Sequence, residues 1–136
     1  MQRLQTRAQF QAVLAGSTVA RTPHFALHRC ALEAPVRAGE TPATALFEPP
    51  ATWLGAMVPK RWARRAVTRN AIKRQIYTVS ASFEGGLPQA AYLVRLRSGF
   101  DRKVFPSATS VALKAAVRAE LLRLFERLDG RKGVAS

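Results

Sequence analysis

Apolar and polar positions alternate along this chain with two different periods, and the changes between them mark the elements. Residues 4–15 place Leu4, Ala8, Val13 and Leu14, with Phe10, on a helical spacing, and Gly16 follows as a stop; the pattern predicts a short amphipathic helix. His24 to Leu32 is mostly apolar, with Phe25 and Leu27 at alternate places, and predicts a strand. Residues 33–50 hold four of the eight prolines, the composition of a loop or edge insertion. Thr52 to Val58 predicts a second strand, stopped by Pro59. A long helix follows over 62–83, ended by Gly85-Gly86-Leu87-Pro88, and Ala90 to Leu96 predicts a third strand. Ser110 to Leu128 carries Val111, Leu113, Val117, Leu121, Leu124, Phe125 and Leu128 on one side of a second long helix, which Ser107 or Ser110 can cap. Gly130 onward reads as a short basic tail, disordered by composition.

Charge changes the picture most in the long middle helix and its approach. Residues 60–74, KRWARRAVTRNAIKR, hold seven Lys or Arg in fifteen positions, with no acid between Glu48 and Glu84. With about 100° per residue, Arg69, Asn70, Lys73 and Arg74 fall within roughly 140°, while Ile72, Ile76, Val79 and Phe83 align within about 40°. One face is apolar enough to dock on a core; the adjoining face is cationic with no anion inside the helix. Such a face needs an external polyanion, and a nucleic-acid backbone is the commonest.

The whole chain points the same way. It has 136 residues and a net charge of +14, from 22 basic and 8 acidic residues. That length favours one domain, and that surplus implies a large anionic partner and poor solubility at low salt when alone. One cysteine, Cys30, excludes an internal disulfide and is compatible with a reducing compartment. No apolar run reaches the eighteen or so residues of a membrane span. The first 32 residues lack acids, as organelle transit peptides do, but they also supply the first helix and strand.

Catalytic chemistry is sparse. The acids, Glu33, Glu40, Glu48, Glu84, Asp101, Glu120, Glu126 and Asp129, are scattered where a metal-dependent nuclease needs a cluster. His24 and His28, four apart in a strand, would stand about 13 Å from each other, too far to share a metal in the usual way. No glycine-rich phosphate loop is present. The residues predict a nucleic-acid binder without catalytic residues or a metal site of its own.

Arg69-Asn70-Ala71-Ile72-Lys73-Arg74, preceded by Ala66-Val67 and Lys60-Arg61, resembles the signature of the protein subunit of bacterial ribonuclease P. Leu54-Gly55-Ala56-Met57-Val58-Pro59-Lys60-Arg61 is similar to the strand entering that family's helix, and Leu4, Phe10, Val13, Leu14 and Gly16 fit its first helix. With a weaker match at the carboxyl end, the resemblance covers roughly residues 3–128. It implies an α+β fold: a small mixed four-stranded sheet, three helices and a left-handed βαβ crossover, shared with part of a ribosomal protein. General rules would have made that crossover right-handed. A single domain over residues 1–130, with 33–50 as a loop insertion, is expected.

The resemblance also implies a function. In that family the RNA subunit is the catalyst, with Mg2+ at the RNA active centre, and the protein binds the single-stranded 5′ leader of precursor tRNA. Expected partners are ribonuclease P RNA and precursor tRNA, in the cytoplasm, with no membrane, stable protein partner or cofactor of the protein's own. The expected RNA-binding residues are Lys60, Arg61, Arg64, Arg65, Arg69, Asn70, Lys73 and Arg74. The leader groove, by correspondence, is Phe10, Leu14, Ala26, His28, Asn70, Lys73 and Tyr77. Four positions depart from the family pattern: Ala71 replaces an Arg, Tyr77 a basic residue, Leu14 an aromatic and His28 a tyrosine. A ribosomal or RNA-chaperone protein of related fold is the alternative, needing the basic helix but not the Phe10–His28 side. A DNA-binding domain fits less well, because no helix-turn-helix spacing is visible and Asn70 alone would read bases.

Overall fold

A computed structural model describes residues 1–32, 47, 51–100 and 111–128. The expected caps Ser107 and Ser110, the tail 131–136 and, except for Phe47, the expected insertion 33–50 lie outside the described residues. Among the described residues, five strands and three α-helices occur, in the order β1 (Gln2–Arg3), α1 (Arg7–Leu14), β2 (Ser17–Arg21), β3 (Phe25–Cys30), β4 (Trp53–Met57), α2 (Ala66–Ala81), β5 (Ala91–Leu96) and α3 (Val111–Glu126). The strands form one sheet in the order β1-β4-β5-β3-β2. β1 and β5 run parallel to β4, whereas β3 runs antiparallel to β5 and to β2. The α+β arrangement of three helices on a mixed sheet is therefore present, with five strands rather than four.

The sheet separates two apolar clusters, and strand alternation decides which side chain joins which. Phe25, Leu27, Leu54, Ala56, Tyr92, Val94 and Leu96 face α2 and α3. There they meet Ile72, Ile76 and Val79 of α2 and Leu113, Val117, Leu121, Leu124 and Phe125 of α3. Phe83, just past α2, stacks on Phe125 with ring centroids 5.8 Å apart. On the other face, Trp53, Ala91, Leu93 and Cys30 pack with Leu4 and with Val13, Phe10 and Leu14 of α1. Burial pushes the Cys30 thiol pKa up, as suits an inert core sulfur.

Two glycines set how closely these layers approach. A Cβ on Gly55 would come within 2.6 Å of Leu4 Cδ1 and 2.9 Å of Phe10 Cε1, so a side chain there would push the Leu4 and Phe10 side chains off β4. A Cβ on Gly16 would run into the Arg29 carbonyl where β2 begins beside β3. Pairing then turns back at Thr22, whose N–H donates to the Phe25 carbonyl at 2.9 Å.

Helix limits are narrower than periodicity predicts. The first helix begins at Arg7, not residue 4, because Thr6 and Gln9 form a reciprocal capping box; the Gln9 N–H donates to Thr6 Oγ1 at 3.2 Å. Leu4 instead continues the edge pairing, donating its N–H to the Leu54 carbonyl at 2.9 Å. The middle helix begins at Ala66, not residue 62, because residues 59–63 form a turn in which the Trp62 and Ala63 N–H groups donate to the Pro59 carbonyl.

The histidines take separate partners. His24 precedes β3: its N–H and Nδ1 meet the buried Glu120 of α3 at 2.6 and 2.9 Å, and its ring stacks on Phe100. His28 lies within β3.

Candidate nucleic-acid interface

α2 positions most of the basic residues named above. Its apolar stripe, Ile72, Ile76 and Val79, is fixed to the core, so Asn70, Lys73 and Arg74 are turned to solvent and all three are exposed. Lys60, Arg61, Arg64 and Arg65 are exposed on the approach to the helix. Arg65 is the N-cap residue and provides no side-chain cap, and the first turn holds no acid. The positive end of the helix dipole therefore adds to the cationic loop. Among the described residues, neither salt bridge involves this cluster; they join the amino terminus to Glu84 and His24 to Glu120.

Arg69 is placed differently. It is half-buried, and its Nη1 donates to the carbonyls of Ala63 and Arg64 at 3.0 and 2.8 Å. One nitrogen of the guanidinium thus ties the loop to the helix, leaving its other N–H groups for an anion.

Beside the exposed face of α2 opens a cleft of about 600 Å³, lined by Arg3, Asn70, Lys73, Arg74, Tyr77 and Thr78. Arg3 reaches it because β1 pairs in register with β4, Arg3 opposite Leu54, so its side chain emerges on the α2 side of the sheet. Its guanidinium carbon lies 4.0 Å from the Tyr77 ring centroid. The sequence offered little to place Arg3 here, since a two-residue strand has no periodicity to read.

The cleft brings Asn70, Lys73 and Tyr77 together, but not the other four expected groove residues. Phe10 and Leu14 are half-buried against the α1-side cluster. Ala26 and His28 share the sheet face that looks toward α1, and both are buried. His28 is held from two sides: Arg95 Nε–H donates to its Nε2 at 3.2 Å, and its Nδ1 lies 3.2 Å from Thr18 Oγ1. With Nε2 accepting, the neutral ring carries its proton on Nδ1 and donates to the threonine. Burial, then the charges of Arg95 and Arg21, lower the His28 pKa, which favours that neutral form. Arg95 stands in register between Ala26 and Met57 and is a cation on this face that periodicity left unassigned within a strand.

Among the described residues no group of three His, Cys, Asp or Glu is placed to hold a metal ion, and no helix is long and apolar enough to cross a membrane. The arrangement is one for holding a polyanion: cations along a helix, a cleft beside them, and an aromatic ring within it.

The model of the family described as Ribonuclease P matches residues 1–128. The ribonuclease P protein component of Ralstonia pickettii is 36% identical over 125 residues, covering 91% of this chain and 76% of that protein. That of Bordetella parapertussis is 35% identical over 126 residues, covering 93% of this chain and 90% of that protein. The solved structure of the Staphylococcus aureus RNase P protein is alike in fold, with a TM-score of 0.64 at 20% identity, covering 93% of this chain and 94% of that one. On the family match and these identities, the chain belongs to the ribonuclease P protein family.

Proposed function

We propose that this chain works in the cytoplasm as the protein subunit of a ribonuclease P whose RNA carries out cleavage with Mg2+ at the RNA active centre. The protein binds that RNA and the single-stranded 5′ leader of precursor tRNA. The observation that carries this reading is the cationic face of α2, which has no carboxylate partner among the described residues and borders a cleft of about 600 Å³.

Each group has a physical part. The exposed guanidinium of Arg74 makes bidentate phosphate contacts, and Lys73 supplies a mobile point charge beside it. The free N–H groups of Arg69 donate to a phosphate from a fixed position, while Asn70 donates to a phosphate or a base edge. Lys60, Arg61, Arg64 and Arg65 extend the positive field to the helix entrance. Arg3 and Tyr77 add a planar pair on which a base can stack. Backbone charge with stacking tolerates varied sequence, as leaders require. On the opposite face of the sheet, Phe10, Leu14, Ala26 and His28 form the wall that the family correspondence assigns to the leader.

Reconstitution with a bacterial ribonuclease P RNA tests this directly. At low Mg2+, 5′ cleavage of precursor tRNA should rise when the chain is added, and the chain alone should leave the substrate intact. Robust cleavage by nuclease-free protein without RNA would overturn the division of roles.

A further inference from the structure

Trp62 stands in the middle of the basic loop and is 37% exposed, whereas Trp53 is 6% exposed in the core. An indole is costly to leave in water, and this one is left partly open to it. The Trp62 N–H donates to the Pro59 carbonyl at 3.0 Å, and that of Ala63 donates to the same oxygen at 3.2 Å. Ala63 is itself buried in the α2-side core. Arg69 Nη1 holds the Ala63 and Arg64 carbonyls, and Gly99 packs so closely that a Cβ there would lie 2.9 Å from the Trp62 carbonyl oxygen. The main chain is held on both sides of Trp62, while part of the indole stays open to solvent. The loop that carries the indole is thereby shaped before any ligand arrives, so binding does not have to order its main chain.

The surroundings select the ligand. Arg61 lies against the indole, its guanidinium carbon 5.1 Å from the ring centroid, and Lys60, Arg64 and Arg65 are exposed on either side. An apolar protein partner covering Trp62 would bury these cations without an anion, at large desolvation cost. A nucleotide matches both features, with a flat base for the indole and phosphates for the flanking charges. A duplex does not, because its bases already stack on one another and show only their edges.

We infer that Trp62 is a stacking platform for one unpaired RNA base, set in a phosphate-binding loop and separate from the Arg3–Tyr77 cleft. This rests on the reading of the chain as an RNA-binding subunit. The base can come from the leader or from an unpaired position in the RNA subunit; the chemistry is the same for both.

The test uses the full chain and the variants Trp62→Phe, Trp62→Leu and Trp62→Ala, first compared by thermal unfolding. Affinities are then measured at one salt concentration for a single-stranded leader, a bacterial ribonuclease P RNA and a fully paired RNA duplex. Trp62→Ala and Trp62→Leu should each bind one or both of the first two RNAs roughly tenfold more weakly, with Trp62→Phe within about threefold of the parent. Duplex binding and the salt dependence should be unchanged, because no phosphate contact is lost. Whichever RNA shows the loss identifies the source of the base. Emission from Trp62 should also be quenched by that RNA in the parent, and this component should be missing from Trp62→Phe. The inference is overturned if Trp62→Leu binds like the parent, if Trp62→Ala loses nothing, or if all three RNAs weaken together with a fall in thermal stability. A parent protein that binds none of the RNAs overturns the RNA-binding reading itself. A parent that binds beside an unaffected Trp62→Ala overturns only the role of Trp62.

Discussion

The guanidinium of Arg3 lies over the ring of Tyr77, 4.0 Å from its centroid, and joins the amino-terminal edge of the sheet to the cationic helix. Arg3 is exposed and Tyr77, half-buried, packs against the α2-side core, so the pair forms a wall of the cleft at the edge of that core. Tyrosine here supplies a ring that positions a charge from β1. Tyr77→Phe should therefore bind a single-stranded leader as the parent does, because the ring is retained. Tyr77→Ala releases Arg3 and should weaken binding by the equivalent of about 0.5–1 kcal/mol, read by equilibrium titration at fixed salt. Equal affinity for parent and Tyr77→Ala would remove the cleft from the leader path.

Arg69 and Lys73 should separate when both are replaced by alanine. Lys73 is exposed and has no hydrogen-bond partner among the described residues, so Lys73→Ala should leave thermal stability unchanged. If Lys73 neutralises one phosphate, the slope of log affinity against log salt should flatten by about 0.7–0.9. Arg69→Ala should flatten the slope by a similar amount, and it should also lower stability by about 1 kcal/mol, because two carbonyl contacts of the loop are lost. Stability equal to the parent would show that Arg69 does not hold the loop.

His28 gives the stability a pH dependence of definite sign. Its folded-state pKa is lowered by burial and by Arg95 and Arg21, so the unfolded chain binds the proton more readily. Its contribution is present above the unfolded value of about 6.5 and is lost as pH falls toward the folded value. Protonation would place a second donor against Arg95 Nε–H. The parent should therefore lose more stability than His28→Gln between pH 7 and pH 5, as followed by denaturant midpoints. Parallel profiles for the two proteins would show that His28 does not titrate in this range.

How much could be read in advance depended on how local the determinants are. α2 and α3 follow from apolar spacing within each segment, and β3, β4 and β5 from runs such as Phe25–Cys30 and Ala91–Leu96. β2 escaped because only Ala20 of its five residues is buried, and β1 because its two residues are both exposed and are organised by β4, some fifty positions away. The cationic face of α2 was legible for the same reason as its apolar stripe. The position of Arg3 over Tyr77, the turn of Arg69 onto its own loop and the outward pose of Trp62 were not. Each depends on contacts between segments that no local period encodes.

Phe47 shows where composition misleads. The proline-rich run 33–50 reads as a loop or edge insertion, yet Phe47 is 2% exposed and packs edge-on against Trp53, with ring centroids 6.0 Å apart. It belongs to the cluster that seats Leu4 and Val13 on the sheet, so the segment contributes a core side chain whatever its other residues do. Phe47→Ala should destabilise the protein by about 3 kcal/mol, as removal of a buried aromatic ring commonly does. Deleting residues 37–49 should cost at least as much, because the same ring is lost. Shortening the run within residues 37–45 keeps Phe47 and should leave both stability and RNA-dependent cleavage near the parent's. The cluster lies on the α1 side, so the loss in Phe47→Ala should appear as a lowered unfolding midpoint. The salt slope of RNA binding should stay unchanged at temperatures where the protein remains folded, since no cation has moved. Full stability in the 37–49 deletion would mean that the Phe47 ring contributes nothing to the core it occupies.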